Sequence, residues 1–249
     1  MVKSVIGILG FGEVGSAIKT VFVKNFVVLK KDFNFDEIKN SKIDILHICI
    51  PYSGKFEKIV LDQVSINKPK LTIIHSTVKP GTTQNIFKKS KISIVHSPVM
   101  GTHPNLAKDI INFKKIIGPI DKKSANLANI HFRSVGINTE TFNNSLESEI
   151  AKLLDTTYYG WNIIFTKIVW EICKKTGVRF ENVYETLNKV YNTGYKKSKP
   201  NVLRPVLKYQ PGKIGGHCII PNAQILDDYA KNIITTVVLA ENKKLKSPK

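Results

Sequence analysis

The sequence predicts an α/β protein in which a parallel sheet covered by helices precedes a helical domain. Short β-branched runs alternate with helix-length stretches up to about residue 143, and a Gly-x-Gly-x-x-Gly turn follows the first run. From Ser145 to Lys175 the chain continues without proline. The alternation is typical of doubly wound sheets. We therefore expect a Rossmann-like, doubly wound parallel sheet over residues 1–143 and a domain built on one long helix over 144–249.

Seven runs in the first part have the length and apolar character of strands that are covered on both faces. The segments between them have helical length. The predicted strands are Ser4–Leu9, Phe26–Lys30, Ile43–Ile50, Leu71–His75, Ile92–His96, Lys115–Ile117 and one near Asn138–Phe142.

The second part is predicted to be helical. Apolar residues recur at spacings of three and four through 145–175, which indicates a helix of about eight turns ended by Gly177. Further helices are expected over Phe180–Val190 and from about Ala223, separated by a Pro/Gly-rich passage from Pro200 to Pro221. Such a wide apolar stripe needs a large partner surface. We therefore expect a homodimer that depends on this helix.

The formal net charge of +19 is the unusual global feature. An anionic partner is one interpretation. However, 35 of the 38 basic residues are lysines, because arginine occurs only at Arg133, Arg179 and Arg204. Nucleic-acid readers favour the forked guanidinium group. We therefore interpret the lysine excess as compositional bias and do not expect nucleic acid as a partner. The partner that we expect is a small-molecule, anionic substrate.

The cysteines and the apolar runs bear on where the protein works. The three cysteines are scattered, so neither a disulfide framework nor a metal site is predicted. Neither a signal peptide nor an apolar run of membrane-spanning length is recognised. We expect a protein of the reducing cytoplasm.

The glycine turn predicts a dinucleotide site, because it lies between a predicted strand and a predicted helix. Gly10 permits the tight turn, Gly12 lets the backbone approach a pyrophosphate, and Gly15 allows close packing of the helix on the strand. The pyrophosphate would bind at the positive end of the helix. The candidate residues of this loop are Gly10, Phe11, Gly12, Glu13, Val14 and Gly15.

The end of the second strand predicts which dinucleotide is bound. Asp32 is placed to bind the adenosine ribose, which favours NAD. Lys30 and Lys31 beside it could instead bind a 2′-phosphate, so NADP is the alternative. Further cofactor contacts are expected at the ends of later strands, from Pro51, Ser76 and Thr77.

With these residues in view, the chain resembles the UDP-glucose/GDP-mannose dehydrogenase family. The matching pieces come in family order: Gly10–Gly15, Ile50-Pro51, Ser76–Thr83, Glu149 with Lys152, and Gly212–Cys218. The last is most similar to the branch that oxidises UDP-N-acetylhexosamines. The resemblance covers the family's first two domains and implies a dehydrogenase that oxidises an alcohol, of a nucleotide sugar or of another sugar derivative. The resemblance does not extend to the family's third domain, which grips the nucleotide sugar, so a smaller substrate, or one held between two subunits, is the alternative.

The resemblance also implies a mechanism. The family's cysteine, here Cys218, captures the aldehyde formed by a first hydride transfer, and the thiohemiacetal then loses a second hydride. Lys152 would stabilise oxyanion charge, and His217 lies next to the cysteine. Substrate contacts are expected from a separate set: Glu149, Gly215, Gly216, Arg204 and His103.

Three positions depart from the family pattern. Thr156 replaces an asparagine, and Asn222 replaces an aspartate. Because an amide cannot act as a carboxylate base, the hydrolytic half of the reaction is in question. The acidic residue after the fifth-strand proline is missing, which leaves His103 as the titrating group of that segment and a candidate acid/base.

Two other functions remain open. A two-electron dehydrogenase of the β-hydroxyacid type would use Lys152 and dispense with Cys218. A protein that binds the cofactor without turnover would use its basic surface for a polyanion.

Overall fold

The computed structural model describes residues 4–102 and 104–246. The chain divides into two compact units, with the division between Lys152 and Leu153. The first unit contains an eight-stranded sheet with helices on both faces. The strands are β1 Val5–Leu9, β2 Val27–Asp32, β3 Phe35–Asp36, β4 Ile45–Ile48, β5 Leu71–Ile74, β6 Ile94–His96, β7 Lys115–Pro119 and β8 Thr139–Thr141.

Nine α-helices, a π-helical turn and a 3-10 turn lie within the described residues. The helices of the first unit are α1 Glu13–Phe22, α2 Phe56–Asn67, α3 Thr82–Ser90, α4 Leu106–Asn112, α5 Lys122–Arg133 and the start of α6 Ser145–Thr176. The second unit continues α6 and adds the π-turn Glu181–Thr186, α7 Leu187–Tyr195, the 3-10 turn Pro200–Val202, α8 Ile219–Tyr229 and α9 Ile233–Lys244.

The strand order is β3-β2-β1-β4-β5-β6-β7-β8. All seven predicted strands are present and the Rossmann-like α/β class is confirmed, but the sheet is mixed instead of wholly parallel. β3 pairs antiparallel with β2, and β7 pairs antiparallel with β6. Antiparallel neighbours can be joined without a crossover, so the short link from β2 to β3 forms a hairpin.

Side chains alternate between the two faces of the sheet. Ile6 and Ile8 of β1 pack with α1, α4 and α5 on one face, whereas Leu46 and Ile48 of β4 pack with α2 and α3 on the other. The order of the connections reverses at β1, because β2 lies on one side of it and β4 on the other, while all three strands are parallel. Ligands of open α/β sheets bind at the carboxyl ends of the strands at such a point.

The division between the units falls inside α6, whereas the sequence predicts a boundary at residues 143/144. The predicted long helix is present over Ser145–Thr176. In the described residues no helix combines the length and the apolar character needed to cross a membrane.

Candidate functional site

The glycine loop lies at the reversal point of the sheet. Gly10 has φ +92°, and a Cβ there would lie 2.8 Å from the carbonyl carbon of Cys49 at the end of β4. A Cβ at Gly15 would lie 2.1 Å from the Gly10 carbonyl oxygen. The fold itself therefore requires both glycines.

Gly12 is different, because a Cβ there would meet nothing within 4 Å among the described residues. It stands at the N-cap of α1, where it supplies no capping side chain, and Glu13 and Val14 begin the helix. Unpaired N–H groups of a first helical turn attract phosphate groups. The open space at Gly12 therefore fits a pyrophosphate.

Asp32 lies beside this loop at the end of β2. Its Oδ2 accepts a hydrogen bond from the Phe11 N–H at 2.5 Å, and its Oδ1 accepts one from the Phe33 N–H at 2.8 Å. The carboxylate thus stands next to the glycine loop, where a ribose-binding acid is expected.

The two lysines before Asp32 pair with acidic residues of the same hairpin. Lys31 Nζ lies 2.7 Å from Asp36, and Lys30 Nζ lies 3.9 Å from Glu37. A 2′-phosphate would have to compete with these carboxylates. The pairing therefore favours NAD over NADP.

The predicted cofactor residues of the later strands lie at the same carboxyl edge. Ser76 follows β5 and donates a hydrogen bond to the Ile50 carbonyl oxygen at 2.6 Å, which ties the ends of β4 and β5 together. Pro51 is exposed and Thr77 is half-buried.

Glu149 on α6 has a structural task. Its carboxylate is buried and accepts hydrogen bonds from the Gly81 N–H at 2.6 Å, the Thr83 N–H at 2.9 Å and the Thr83 hydroxyl at 2.6 Å. It therefore caps the first turn of α3. A role of Glu149 in substrate binding stays a prediction.

Sequence reasoning missed a buried chain of three imidazoles. His75 Nδ1 donates to the Ser97 carbonyl oxygen at 2.8 Å, so its Nε2 accepts from His47 Nδ1 at 2.8 Å. His47 Nε2 in turn accepts from His131 Nε2 at 3.0 Å. His131 Nδ1 ends the chain as a buried acceptor without a partner among the described residues. The Ser97 carbonyl thus fixes the tautomer of all three rings.

Two further bases lie close to this chain. Lys115 donates to the carbonyl oxygens of Ser97 at 2.9 Å and Pro98 at 2.7 Å, and burial lowers its pKa to about 7. Burial lowers the pKa of His96 to about 3, and the charge of Lys152 contributes to lowering the pKa values of both groups. The predicted catalytic lysine, Lys152, therefore interacts electrostatically with His96 and Lys115. Titratable residues inside covered strands were the sequence signal for this cluster.

In the second unit, Cys218 immediately precedes α8. All three cysteines are free, but Cys218 is exposed whereas Cys173 is buried and burial raises the pKa of Cys49 to about 12. The preceding Gly215, Gly216 and His217 are also exposed, and Gly216 has φ +79°. Among the cysteines, Cys218 therefore presents the accessible thiol.

Close helix packing fixes the start of α8. A Cβ at Gly160 of α6 would lie 2.6 Å from Cγ2 of Ile219, the residue after Cys218. Ile219 and Gly215 also line a cavity of about 380 Å³, together with Tyr159, Ile163 and Lys167 of α6. In the sequence, Cys218 thus lies between two residues that line this cavity.

Two of the three positions that depart from the family pattern, Thr156 and Asn222, contact each other. The Asn222 amide nitrogen donates to Thr156 Oγ1 at 3.2 Å, and Thr156 Oγ1 donates to the Leu153 carbonyl oxygen at 3.1 Å. The Asn222 N–H donates to the Cys218 carbonyl oxygen at 3.0 Å. The pair therefore supports the turn that carries the cysteine.

Two predicted substrate residues remain, Arg204 and His103. Within the described residues, no hydrogen bond joins Arg204 to Cys218 or Asn222. The Arg204 guanidinium lies 3.6 Å from the Tyr191 ring centroid, and its backbone pairs with the Asn192 side chain. His103 lies outside the described residues. Within residues 4–102 and 104–246, no three His, Cys, Asp or Glu side chains form a group that could hold a metal ion.

Comparison with known proteins identifies nucleotide-sugar dehydrogenases as relatives. The chain is 28% identical over 213 residues to the UDP-N-acetyl-D-mannosamine dehydrogenase of Methanocaldococcus jannaschii, and the match covers 79% of this chain and 47% of that protein. The chain thus spans about half the length of such relatives. No family model matches it.

Two solved structures illustrate the fold. The UDP-D-ManNAc dehydrogenase from Pyrococcus horikoshii matches with a TM-score of 0.80 at 18% identity, over 96% of this chain and 68% of that one. A 3-hydroxyisobutyrate dehydrogenase from Mycobacterium tuberculosis matches with a TM-score of 0.73 at 13% identity, over 98% of this chain and 94% of that one. The resemblance to the amino-terminal part of the UDP-glucose/GDP-mannose dehydrogenase family is confirmed.

Proposed function

We propose that this chain is an NAD-dependent dehydrogenase that oxidises an alcohol of a nucleotide sugar, with Cys218 as a covalent nucleophile. The observation that carries the proposal is the glycine loop, whose open position at Gly12 fits a pyrophosphate. The relatives named UDP-N-acetyl-D-mannosamine dehydrogenase support the substrate class. NAD, when bound, accepts a hydride from the carbon that is oxidised.

The protein's own residues would divide the remaining tasks. Lys152 would stabilise negative charge on the substrate oxygen. The Cys218 sulfur would attack the aldehyde carbon while the thiol proton passes to the aldehyde oxygen, which gives a thiohemiacetal. The thiohemiacetal would become a thioester by losing its hydroxyl proton and a second hydride, for which a second molecule of NAD is the acceptor. Water would then release the carboxylate and restore the thiol. Because Asn222 cannot serve as a carboxylate base, we expect this last step to be slow.

The test is Cys218→Ser, assayed with UDP-N-acetyl-D-mannosamine and NAD. We expect turnover to fall by several orders of magnitude while NAD still raises the melting temperature, and we expect the reaction to stall at the aldehyde. Cys49→Ser and Cys173→Ser are the controls and should affect stability only. In the wild type, intact mass after substrate addition should detect the thioester adduct.

A two-electron dehydrogenase that relies on Lys152 is the second candidate. The match to nearly the full length of a 3-hydroxyisobutyrate dehydrogenase favours it. Full activity in Cys218→Ser would eliminate the covalent mechanism, and loss of that activity in Lys152→Met would then support the two-electron reaction.

A further inference from the structure

The passage that leads to Cys218 depends on tethers for its shape. Residues 203–218 contain neither helix nor strand, although all of them are described. Two of the tethers come from the carboxyl-terminal part of the chain. The Ile214 N–H donates to Asn242 Oδ1 at 2.7 Å, and the Lys213 N–H donates to the Lys246 carbonyl oxygen at 3.0 Å.

The third tether is a buried charge. Lys167 of α6 is only 7% exposed, and its Nζ donates to the carbonyl oxygens of Gln210 and Gly212, the latter at 2.8 Å. Its Nζ also lies 5.6 Å from the ring centroid of Tyr209. One ammonium group therefore contacts three residues of the passage.

Burial of this ammonium group has a cost. Lysine is almost never fully buried unless it is paired, because the charge loses its hydration. Here the two hydrogen-bond acceptors are neutral carbonyl groups, and burial lowers the pKa of Lys167. If this position served apolar packing alone, a leucine or methionine would fill it better than a lysine. The contacts that Lys167 makes are directional, and they fix backbone atoms six and eight residues before Cys218.

We propose that Lys167 is a positioning residue that holds the last part of this passage, residues 210–218, on α6, so that the thiol of Cys218 stands at the reacting carbon. The inference rests on the proposed function. Lys167 also lines the cavity bordered by Gly215 and Ile219, so the same tether shapes the wall on both sides of the cysteine.

The test compares Lys167→Met with Lys174→Met, a matched control at an exposed position of the same helix. In Lys167→Met we expect faster backbone hydrogen exchange over 210–218 and a kcat that is roughly 10 to 100-fold lower, since small misplacements of reacting groups have effects of that size. KM for NAD and the NAD-induced rise in melting temperature should not change. Lys174→Met should match the wild type.

A conservative variant separates positioning from general stability. Lys167→Arg keeps the charge and the donors, so it should recover part of the exchange protection and part of kcat, whereas a packing defect would not be repaired. If Lys167→Met does not fold, Lys167→Arg and Asn242→Ala provide the same comparison through two different tethers.

Exchange over 210–218 at the wild-type rate in Lys167→Met overturns the inference, and so does faster exchange with unchanged kcat. A different variant tests the proposed function. If Cys218→Ser keeps full activity while Lys167 is intact, the cysteine reaction is eliminated, and this result does not depend on whether Lys167 acts as a tether.

Discussion

Gly12 and Gly15 stand three residues apart in one loop, but the structure requires them for different reasons. A side chain at Gly15 would collide with the Gly10 carbonyl, whereas a side chain at Gly12 would project into open space. The first glycine serves the fold and the second leaves room for a ligand. This distinction allows cofactor binding to be tested separately from folding.

We expect Gly12→Val to keep its stability without ligand and to lose its stabilisation by NAD. In the wild type, NAD at one hundred times Kd should add about 2.7 kcal/mol to the free energy of unfolding. Gly15→Ala is the contrasting variant, and it should be unstable even without NAD. Thermal unfolding with NAD and with NADP measures both effects, and no response of the wild type to millimolar dinucleotide would contradict the site.

The three cysteines should differ sharply in reactivity. Iodoacetamide followed by peptide mass analysis should label Cys218 first, because Cys173 is 2% exposed and burial raises the pKa of Cys49 to about 12. Cys49 and Cys173 should react much more slowly than Cys218 in the folded protein. Equal labelling rates for all three in the folded protein would contradict the exposure of Cys218.

At the scale of single elements, α2 and α3 end in the same strained way. Each helix is followed by a lysine in the left-handed region, Lys68 with φ 45° and Lys91 with φ 56°. Glycine is usually found at this position, because a Cβ is unfavourable there by about 1 kcal/mol or more. Both helices therefore carry a local penalty.

Lys68→Gly and Lys91→Gly should each stabilise the protein by roughly 0.5–1 kcal/mol, since relief of strain exceeds the extra freedom of the unfolded chain. Lys58→Gly, at an exposed position inside α2, is the matched control and should destabilise by about 1 kcal/mol. Urea unfolding measures all three. A loss of stability in both C-cap variants would contradict the strain argument.

The elements also define what the sequence could predict. The strands of the sheet and the 32-residue helix α6 were predictable, because apolar periodicity reports burial directly. The direction of β7 was not, since periodicity carries no information on strand orientation. The roles of Glu149 and Lys167 were also hidden, because their partners are backbone groups distant in sequence.

At the scale of the molecule, the buried histidines should make stability depend on pH. Burial lowers the pKa values of His96 and His131 to about 3 and those of His47 and His75 well below 6.5. These rings stay neutral in the folded protein at pH 5, whereas they become protonated in the unfolded chain. The unfolded state then binds more protons, so stability falls as the pH falls below 6.5. The lowered pKa of Lys115 also makes stability fall as the pH falls, in this case between about pH 10.5 and pH 7.

Linkage gives about 2 kcal/mol of lost stability at pH 5 for each of His96 and His131, or about 4 kcal/mol for the two, and His47 and His75 act in the same direction. Since this is a large fraction of the total stability of a domain, we expect the protein to be much less stable at pH 5 than at pH 7.5. Urea midpoints between pH 7.5 and 5 measure the loss. His217→Gln, at an exposed ring, should leave the profile unchanged, and a flat wild-type profile would contradict the neutral chain.

The second unit exposes an apolar stripe along α6. Its members recur at helical spacing and are 39–60% exposed: Leu154, Tyr158, Phe165, Ile168 and Ile172. Val183 and the α7 residues Leu187 and Val190 are exposed as well. A contiguous exposed apolar patch usually marks an interface, and closed homodimers are the commonest assembly of such surfaces. The homodimer therefore stays a prediction that rests on this stripe.

Phe165→Glu should convert a dimer into a monomer, because each copy of the interface would bury an unpaired carboxylate. Lys174→Glu is the matched control: it introduces the same side chain about half a turn from Ile172, away from the stripe, and should remain dimeric. Light scattering at micromolar concentration gives the mass of each variant, and circular dichroism checks that the helices are retained. A stable wild-type monomer at that concentration would count decisively against the dimer, since the stripe would then have no role in assembly.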